Sequence, residues 1–449
     1  MTRREFLRQY GIASSALTFS PFFLERMTAV CEASSILTRV YRVKNVPDCL
    51  TGAAKLWQML DGPAKYIAPT DVVVIKANGQ WPNQGFTHTG CIKGVIDQIL
   101  QIPGFSGEVL ICDNLQSTAV GNGNTGFDAT PENRVNNWPT MNWTQLAQAY
   151  RSSGQPVAAV LWLNDPVWRV PSGNLPWTST WNPASGNGWT RYVFDYRGSP
   201  TYLSYPVFQS PLTSGRMIDL RNGVWENGTY TGRKVKVLCM PTLNNHSYAG
   251  GNEDYAGVTS AVKCLFGATE IYHGDDATWN GNYSMHSRTF SQAATVGVQV
   301  AQWAGELSGT YMNTFLAPAL YITSAMYCGW FNRTATNGAA ATNTLLACEN
   351  PVSLDYISCR DVISKCGSPQ PTWLDPTTQN NNTWRQLYGC NTQGIGTLDP
   401  QQIDLFTYDF AQPTATRLDV ERKIRDHRTG NATLQDVKQT IQLYMSGGS

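Results

Sequence analysis

Charge is scarce in this sequence. Asp, Glu, Lys and Arg make up 14% of its 449 residues, against about a quarter in ordinary soluble domains. Thirty-three basic residues face 32 acidic ones. Arg3, Arg4, Arg8 and Arg26 against Glu5, Glu25 and Glu32 supply the whole excess, so the rest of the chain is neutral. A neutral body without a basic stripe excludes a nucleic-acid binder, whose affinity rests on neutralising phosphates. Histidine is rarer still, with five. Eleven cysteines are present, but none falls in Cys-x-x-Cys spacing, so neither an iron–sulfur run nor a zinc ribbon can be read. The Walker loop, the nucleophile elbow and the zincin helix are absent. The string GNGNTG, Gly121 to Gly126, has the letters of a dinucleotide fingerprint. It does not sit between a strand and a helix and reads as a flexible loop. No apolar run gives a firm membrane span.

What is there begins with MTRREFLRQYGIASSALTFSPFFLERM. Adjacent arginines before Phe6, Leu7 and a moderately apolar run form a twin-arginine export signal over residues 1–33. That makes the twin-arginine machinery a partner and the periplasm, or another exported location, the destination. Cleavage near Ala33 and a retained N-terminal anchor both stay open. The route carries folded proteins and is typically used when a cofactor is inserted first. A bound metal is therefore expected as one candidate, with the cofactor's identity unknown.

Downstream, DVVVIKANGQW and GEVLICDN are apolar runs of the kind that form strands buried on both faces. A helical pattern, TGCIKGVIDQIL, separates them. Strand, helix, strand predicts a βαβ unit and an α/β fold with a mainly parallel sheet. Further strands follow at PVAAVLWLND, RKVKVLCMP, ALYITSAM, NTLLACEN and IDLFTYDF. The α/β domain spans about 34–411, and 412–449 is a charged helical tail. Between about 115 and 233 the chain is rich in Trp, Pro, Gly and Asn and reads as a β/loop insertion. Its aromatic residues either line a ligand groove or pack beneath loops. Cys112, Cys239 and Cys348 lie in apolar strands and read as small buried hydrophobes. Cys359 and Cys366, on one helix, are near enough to approach each other, but no disulfide pairing can be deduced.

Ligands of open α/β sheets bind beyond the carboxyl ends of the strands. That rule selects Lys76 and Asn78, Asp113 and Asn114, Asn244, Asn245 and His246, and Glu349 and Asn350. Together they offer a cation, amides, carboxylates and an imidazole, a set able to bind a small anionic molecule and move a proton. His246 is a candidate metal ligand, general base or anion donor. Lys263, in the apolar stretch YAGVTSAVKCLFG read as a helix, either snorkels outward or points at an anion. His88, at a helix start, reads as a loop residue.

The ordered motifs VVVIKANGQW, VLICDN, VLCMPTLNNH with AGVTSAVKCLFG, LLACENPVSLDYIS and GIGTLDPQQIDLF resemble the family called domain of unknown function 362, over about residues 70–410. The resemblance implies a ligand site around His246, Thr259, Lys263 and Gly267, which match the family pattern, with Asp355 from the later motif. Asn244 stands where the family carries lysine, Ser260 replaces its glycine, Cys264 its asparagine, and Asn350 an aspartate. No ferredoxin domain is fused here. The expected protein is an exported, metal- or cofactor-binding enzyme performing redox or proton-transfer chemistry on a small polar or anionic substrate. The alternative is a non-catalytic periplasmic binder using the Trp-rich insertion.

Overall fold

The computed structural model describes residues 37–115, 121–162, 180–246, 257–270, 284–286, 289, 296–368, 371–412 and 417–446. The export signal and the first part of the Trp-rich segment lie outside these residues.

The strands are β1 Thr38–Lys44, β2 Val72–Ala77, β3 Glu108–Asp113, β4 Val157–Leu161, β5 Gly188–Tyr196, β6 Ser199–Gln209, β7 Met217–Asp219, β8 Gly223–Glu226, β9 Thr229–Tyr230, β10 Val235–Met240, β11 Thr242–Asn245, β12 Val258–Thr259, β13 Leu320–Gly329, β14 Ala339–Cys348 and β15 Ile403–Asp409. The principal helices are α1 Cys49–Met59, α2 Thr89–Ile99, α3 Trp143–Ser152, α4 Val300–Thr314, α5 Pro351–Asp361, α6 Asn382–Asn391, α7 Arg417–Arg428 and α8 Leu434–Ser446.

The main sheet runs β15-β1-β14-β13-β10-β2-β3-β4. It is mainly parallel, as the βαβ pattern predicts. Along that path β14 alone runs against its neighbours. Every residue of β2 and β3 is buried, because alternate side chains enter different cores. Val72, Val74, Leu110 and Cys112 join Trp303, Leu307 and Tyr311 of α4 on one face. Val73, Ile75, Val109 and Ile111 join Leu56 and Trp57 of α1, Ile92 and Ile96 of α2, and Trp143 of α3 on the other.

The insertion forms a second, antiparallel sheet in the order β5-β6-β7-β8-β9. Its Trp189, Tyr205 and Phe208 are buried in the first of those cores, so these three aromatics pack and do not line a groove. Ion pairs fasten this sheet to the rest, those of Arg191 and Arg216 buried and that of Arg197 with its arginine exposed. Arg191 grips Glu270 through two bonds of 2.7 and 2.6 Å, and Arg197 reaches Glu306 at 2.9 Å. Arg216 pairs with Glu108 at the start of β3. The helical tail docks through Arg422 and Arg425, which meet Asp61 at 3.3 and 3.0 Å.

One expected element differs. The stretch carrying Lys263 is not an α-helix. Val258 and Thr259 pair as β12 with Asn245 and Asn244 of β11, and a short 3-10 turn follows over Cys264–Ala268. The reason is a tertiary contact and a turn glycine. The Asp355 carboxylate accepts the Ala261 and Val262 amides at 2.9 and 2.8 Å, and Gly257 enters with φ +78°. Among the described residues, no helix is long and apolar enough to cross a membrane.

Candidate functional site

The chain order places a switch point in the sheet. From β2 the chain proceeds to β3 and β4 on one side, while β10 and β13 lie on the other. The loops leaving β2 and β10 therefore part, and a crevice opens at the strand ends. A cavity of about 470 Å³ occupies it, lined by Lys76, Asn78, Gly79, Trp81, Asp113, Asn114, Asn244, His246, Thr259, Lys263, Phe266, Gly267, His286 and Arg333 among others. That volume suits a small metabolite.

The floor is an ion pair. Lys76 Nζ lies 2.8 Å from Asp113 Oδ1, and both side chains are buried. Lys76 Nζ also donates to the Ala77 carbonyl at 2.8 Å, and Asp113 Oδ2 accepts the Gly79 amide at 2.6 Å. Burial opposes the charge on Lys76, but the adjacent Asp113 carboxylate overrides it and holds the ammonium above its ordinary value. Burial also pushes the Asp113 carboxyl up, against the pull of Lys76 and the amides of Gly79 and Asn114. The Cys264–Ala268 turn lies directly on this pair. A Cβ on Gly267 would stand 2.4 Å from Asp113 Oδ1 and 2.6 Å from Lys76 Nζ, so glycine is what lets the turn seat.

The rim is held by amide side chains. Asn78 Oδ1 accepts the Thr242 amide at 3.2 Å. Asn244, fully buried, accepts the Gly329 amide at 2.6 Å and donates to the Gln84 carbonyl at 2.8 Å. It braces three loops where the family resemblance implies a lysine. His246 leaves β11 with its amide bonded to the Gly257 carbonyl at 3.0 Å, and its own carbonyl accepts from Arg333. The Arg333 guanidinium lies 4.5 Å over the Trp81 ring, a cation–π arrangement that fixes it at the mouth. His286 stands edge-on to Phe266, with ring centroids 6.0 Å apart. Burial, then the charges of Lys263, His246 and Arg333, push its pKa down to about 3. Its imidazole is therefore neutral at neutral pH and, in the empty cavity, only weakly basic.

Of the residues selected from the sequence, Lys76, Asn78, Asp113, His246, Thr259 and Lys263 meet around this cavity. Asn114, Asn244 and Gly267 join them, and four lie elsewhere: Glu349, Asn245, Asp355 and Asn350. Glu349 faces solvent with its side chain 64% exposed, beside Lys65, because β14 runs antiparallel and ends away from the crevice. Asn245 is turned from the cavity by the β11–β12 ladder and reaches the Trp330 carbonyl at 3.4 Å. Asp355 sits on α5, wholly buried behind the turn that carries Lys263, and acts by fastening it. His286 and Arg333 join the site without a sequence signal; neither belongs to a strand-end motif.

Asn350 caps α5, its Oδ1 accepting the Val352 and Ser353 amides at 3.0 and 3.1 Å. An aspartate would cap equally well. Asn350→Ala is expected to lower the unfolding free energy by about 1 kcal/mol, and Asn350→Asp to leave it unchanged, as read by urea denaturation. A loss in the aspartate variant as large as in the alanine one would refute the capping role.

A second group of potential ligands lies on the opposite face of the sheet. Cys49, His88 and Cys91 place their donor atoms within 4.8 Å of one another, so they could hold a metal ion. This cluster, not His246, is where three His, Cys, Asp or Glu donors converge among the described residues. Its sequence signal is His-x-x-Cys at one helix start with a cysteine at another. The ten cysteines of the described residues are free thiols, Cys359 and Cys366 included. Comparison of the chain with family models, curated proteins and solved structures finds no match.

Proposed function

We propose that this protein is an exported enzyme that binds a small carboxylate in the switch-point cavity and moves a proton on it. The observation that carries the reading is the charge and donor set of the lining. Lys76, Lys263 and Arg333 bring three cationic groups to one lining, with the amide side chains of Asn78, Asn114 and Asn244 among them. A lining of cationic and amide N–H donors favours an anion, because hydrogen bonds from such groups to a carboxylate are charge-assisted. His246 and His286 flank the same space. Of redox and proton-transfer chemistry, this imidazole pair favours the second. A carboxylate beside Lys263 and Arg333 offsets the charges that hold His286 down, and so raises its basicity toward the working range. Lys76 and Lys263 hold the anion, Asn78 and Thr259 orient it, Asp113 holds Lys76, and His246 or His286 exchanges the proton. Export follows the twin-arginine reading of residues 1–33. The resemblance to the domain of unknown function 362 family supports the same site without naming a reaction.

Binding and proton exchange can both be read without identifying the product. Small mono-, di- and hydroxycarboxylates are screened by thermal shift and calorimetry. Acids that bind are then incubated with the protein in D2O, and deuterium at the carbon next to the carboxylate is read by NMR. Lys263→Ala is expected to weaken binding at least about tenfold, the value of one well-placed charge. His246→Ala is expected to slow exchange more than it weakens binding. If no carboxylate binds, or if Lys263→Ala binds as tightly as the parent, the reading is wrong. Binding without exchange in any acid leaves a carrier, not an enzyme.

A further inference from the structure

Away from the cavity, three soft donors meet between two helices. Cys49 is the first residue of α1. His88 is the N-cap of α2, and Cys91 lies in the first turn of that helix. Cys49 Sγ and His88 Nδ1 are 3.3 Å apart, and all three donor atoms lie within 4.8 Å of one another. Two thiolates and an imidazole around a tetrahedral zinc stand about 3.5–3.8 Å apart, from bond lengths of about 2.3 and 2.0 Å. The cluster is thus close to a ligand set before any ion is added.

The surroundings suit that use. Cys91 is fully buried, and Cys49 and His88 are 8% and 9% exposed. Gly90 lets the three approach: a Cβ there would lie 3.2 Å from Cys49 Sγ and 3.3 Å from His88 Cε1. Gly94 lets the helices themselves close, since its Cβ would fall 2.6 Å from that of Ala53. Ser324 of β13 lies beside Cys91, where outer-shell groups commonly support metal-bound thiolates.

We propose that Cys49, His88 and Cys91 form a zinc site with three protein ligands and one coordination position open to water or a small molecule. The charge count selects a divalent ion, and two thiolates with one imidazole are a ligand set that zinc takes. Two thiolates and a neutral imidazole around Zn2+ sum to zero, whereas Cu+ would leave a net negative charge in a buried place. The three donors found among the described residues point to an open site, because closed structural zinc sites use four. The residual exposure lies at Cys49 and His88, which is where a fourth ligand can enter. None of the three residues lines the carboxylate cavity, so the proposal stands or falls independently of it.

The full chain, purified under reducing conditions without chelator, is analysed for metals and then titrated with Zn2+ alone. About one zinc per chain is expected. Cys91→Ser and His88→Ala are expected to lose it, while His246→Ala keeps it. Should those variants fold poorly, cobalt substitution of the parent protein decides: an intense thiolate-to-cobalt charge-transfer band with tetrahedral visible absorption is expected. Failure to take up zinc or cobalt after full reduction overturns the proposal. So does stoichiometric copper in place of zinc, or a Cys49–Cys91 disulfide found by mass spectrometry that persists in the purified protein and excludes metal.

Discussion

Replacing Lys76 by methionine is expected to lower the unfolding free energy by about 3–5 kcal/mol, the usual penalty for leaving a buried charge without its partner. Methionine keeps the length and apolar stem of lysine, so the loss isolates the ammonium. Asp113 would then stand beneath the Cys264–Ala268 turn with the Gly79 amide as a donor and without the cation it pairs with. The variant Lys76→Met with Asp113→Asn removes both charges while keeping an oxygen for that amide. It is expected to recover more than half of the loss, because an uncharged buried pair is often as stable as an ionic one. Denaturant unfolding of the two single variants and the double variant gives the coupling directly. A cost under about 1 kcal/mol for Lys76→Met, or a double variant no better than the single, would mean that the two residues do not act as a pair. The same double variant separates stability from ligand binding. If it folds well but no longer binds carboxylates, Lys76 is there for the ligand, and Asp113 is there to keep Lys76 charged.

That site was half legible in the sequence. Lys76 and Asp113 end apolar runs that can only be buried parallel strands, so the rule that ligands gather beyond strand ends finds them without coordinates. The strand order is a different matter. Nothing local in VVVIKA or VKVLCM says that β10 lies beside β2, and that neighbourhood creates the crevice. Glu349 shows the consequence. It also follows a buried strand, but β14 runs antiparallel and delivers it to solvent. Lys263 shows another limit. Its apolar surroundings have helical spacing, yet Asp355, some ninety positions later, takes the amides of Ala261 and Val262 and holds the segment as a turn. His286 and Arg333 carry no motif and reach the cavity only through tertiary packing. The Cys49–His88–Cys91 cluster left a faint signal, His-x-x-Cys at a helix start, but its third member is 39 positions from His88. The insertion's described aromatics illustrate the converse. Their abundance fits a binding groove as well as a core, and at Trp189, Tyr205 and Phe208 burial decides for the core.

His286 and Asp355 should give the protein two opposed pH dependences that a wild-type curve conceals. Burial, with Lys263, His246 and Arg333, pushes the His286 pKa from 6.5 down to about 3. Its folded value lies below its unfolded one, so its contribution to stability is complete above about 6.5 and is lost as the pH falls toward 3. Burial raises Asp355 from 3.8 to about 6, against the hydrogen bonds of Ser260, Val262 and Ala261. Its folded value lies above its unfolded one, so its contribution is complete below 3.8 and is lost as the pH rises through 6. Between pH 7 and 5, linkage gives a loss of about 2 kcal/mol from His286 and a gain of about 1 kcal/mol from Asp355. Asp355→Asn should therefore steepen the fall in stability on acidification, and His286→Gln should reverse it, each relative to the parent. Urea unfolding of the three proteins at pH 5, 6 and 7 reads both slopes. If His286→Gln acidifies with the parental slope, His286 is not held neutral in the fold, and a role as the proton acceptor loses its basis. If the slope changes as expected, calorimetry with a bound carboxylate in two buffers of different ionisation heat becomes decisive. An anion that offsets Lys263 and Arg333 acts against part of what holds the His286 pKa down, burial being the larger cause; where the bound value reaches the pH of the experiment, binding draws a proton from solvent and its affinity grows as the pH is lowered.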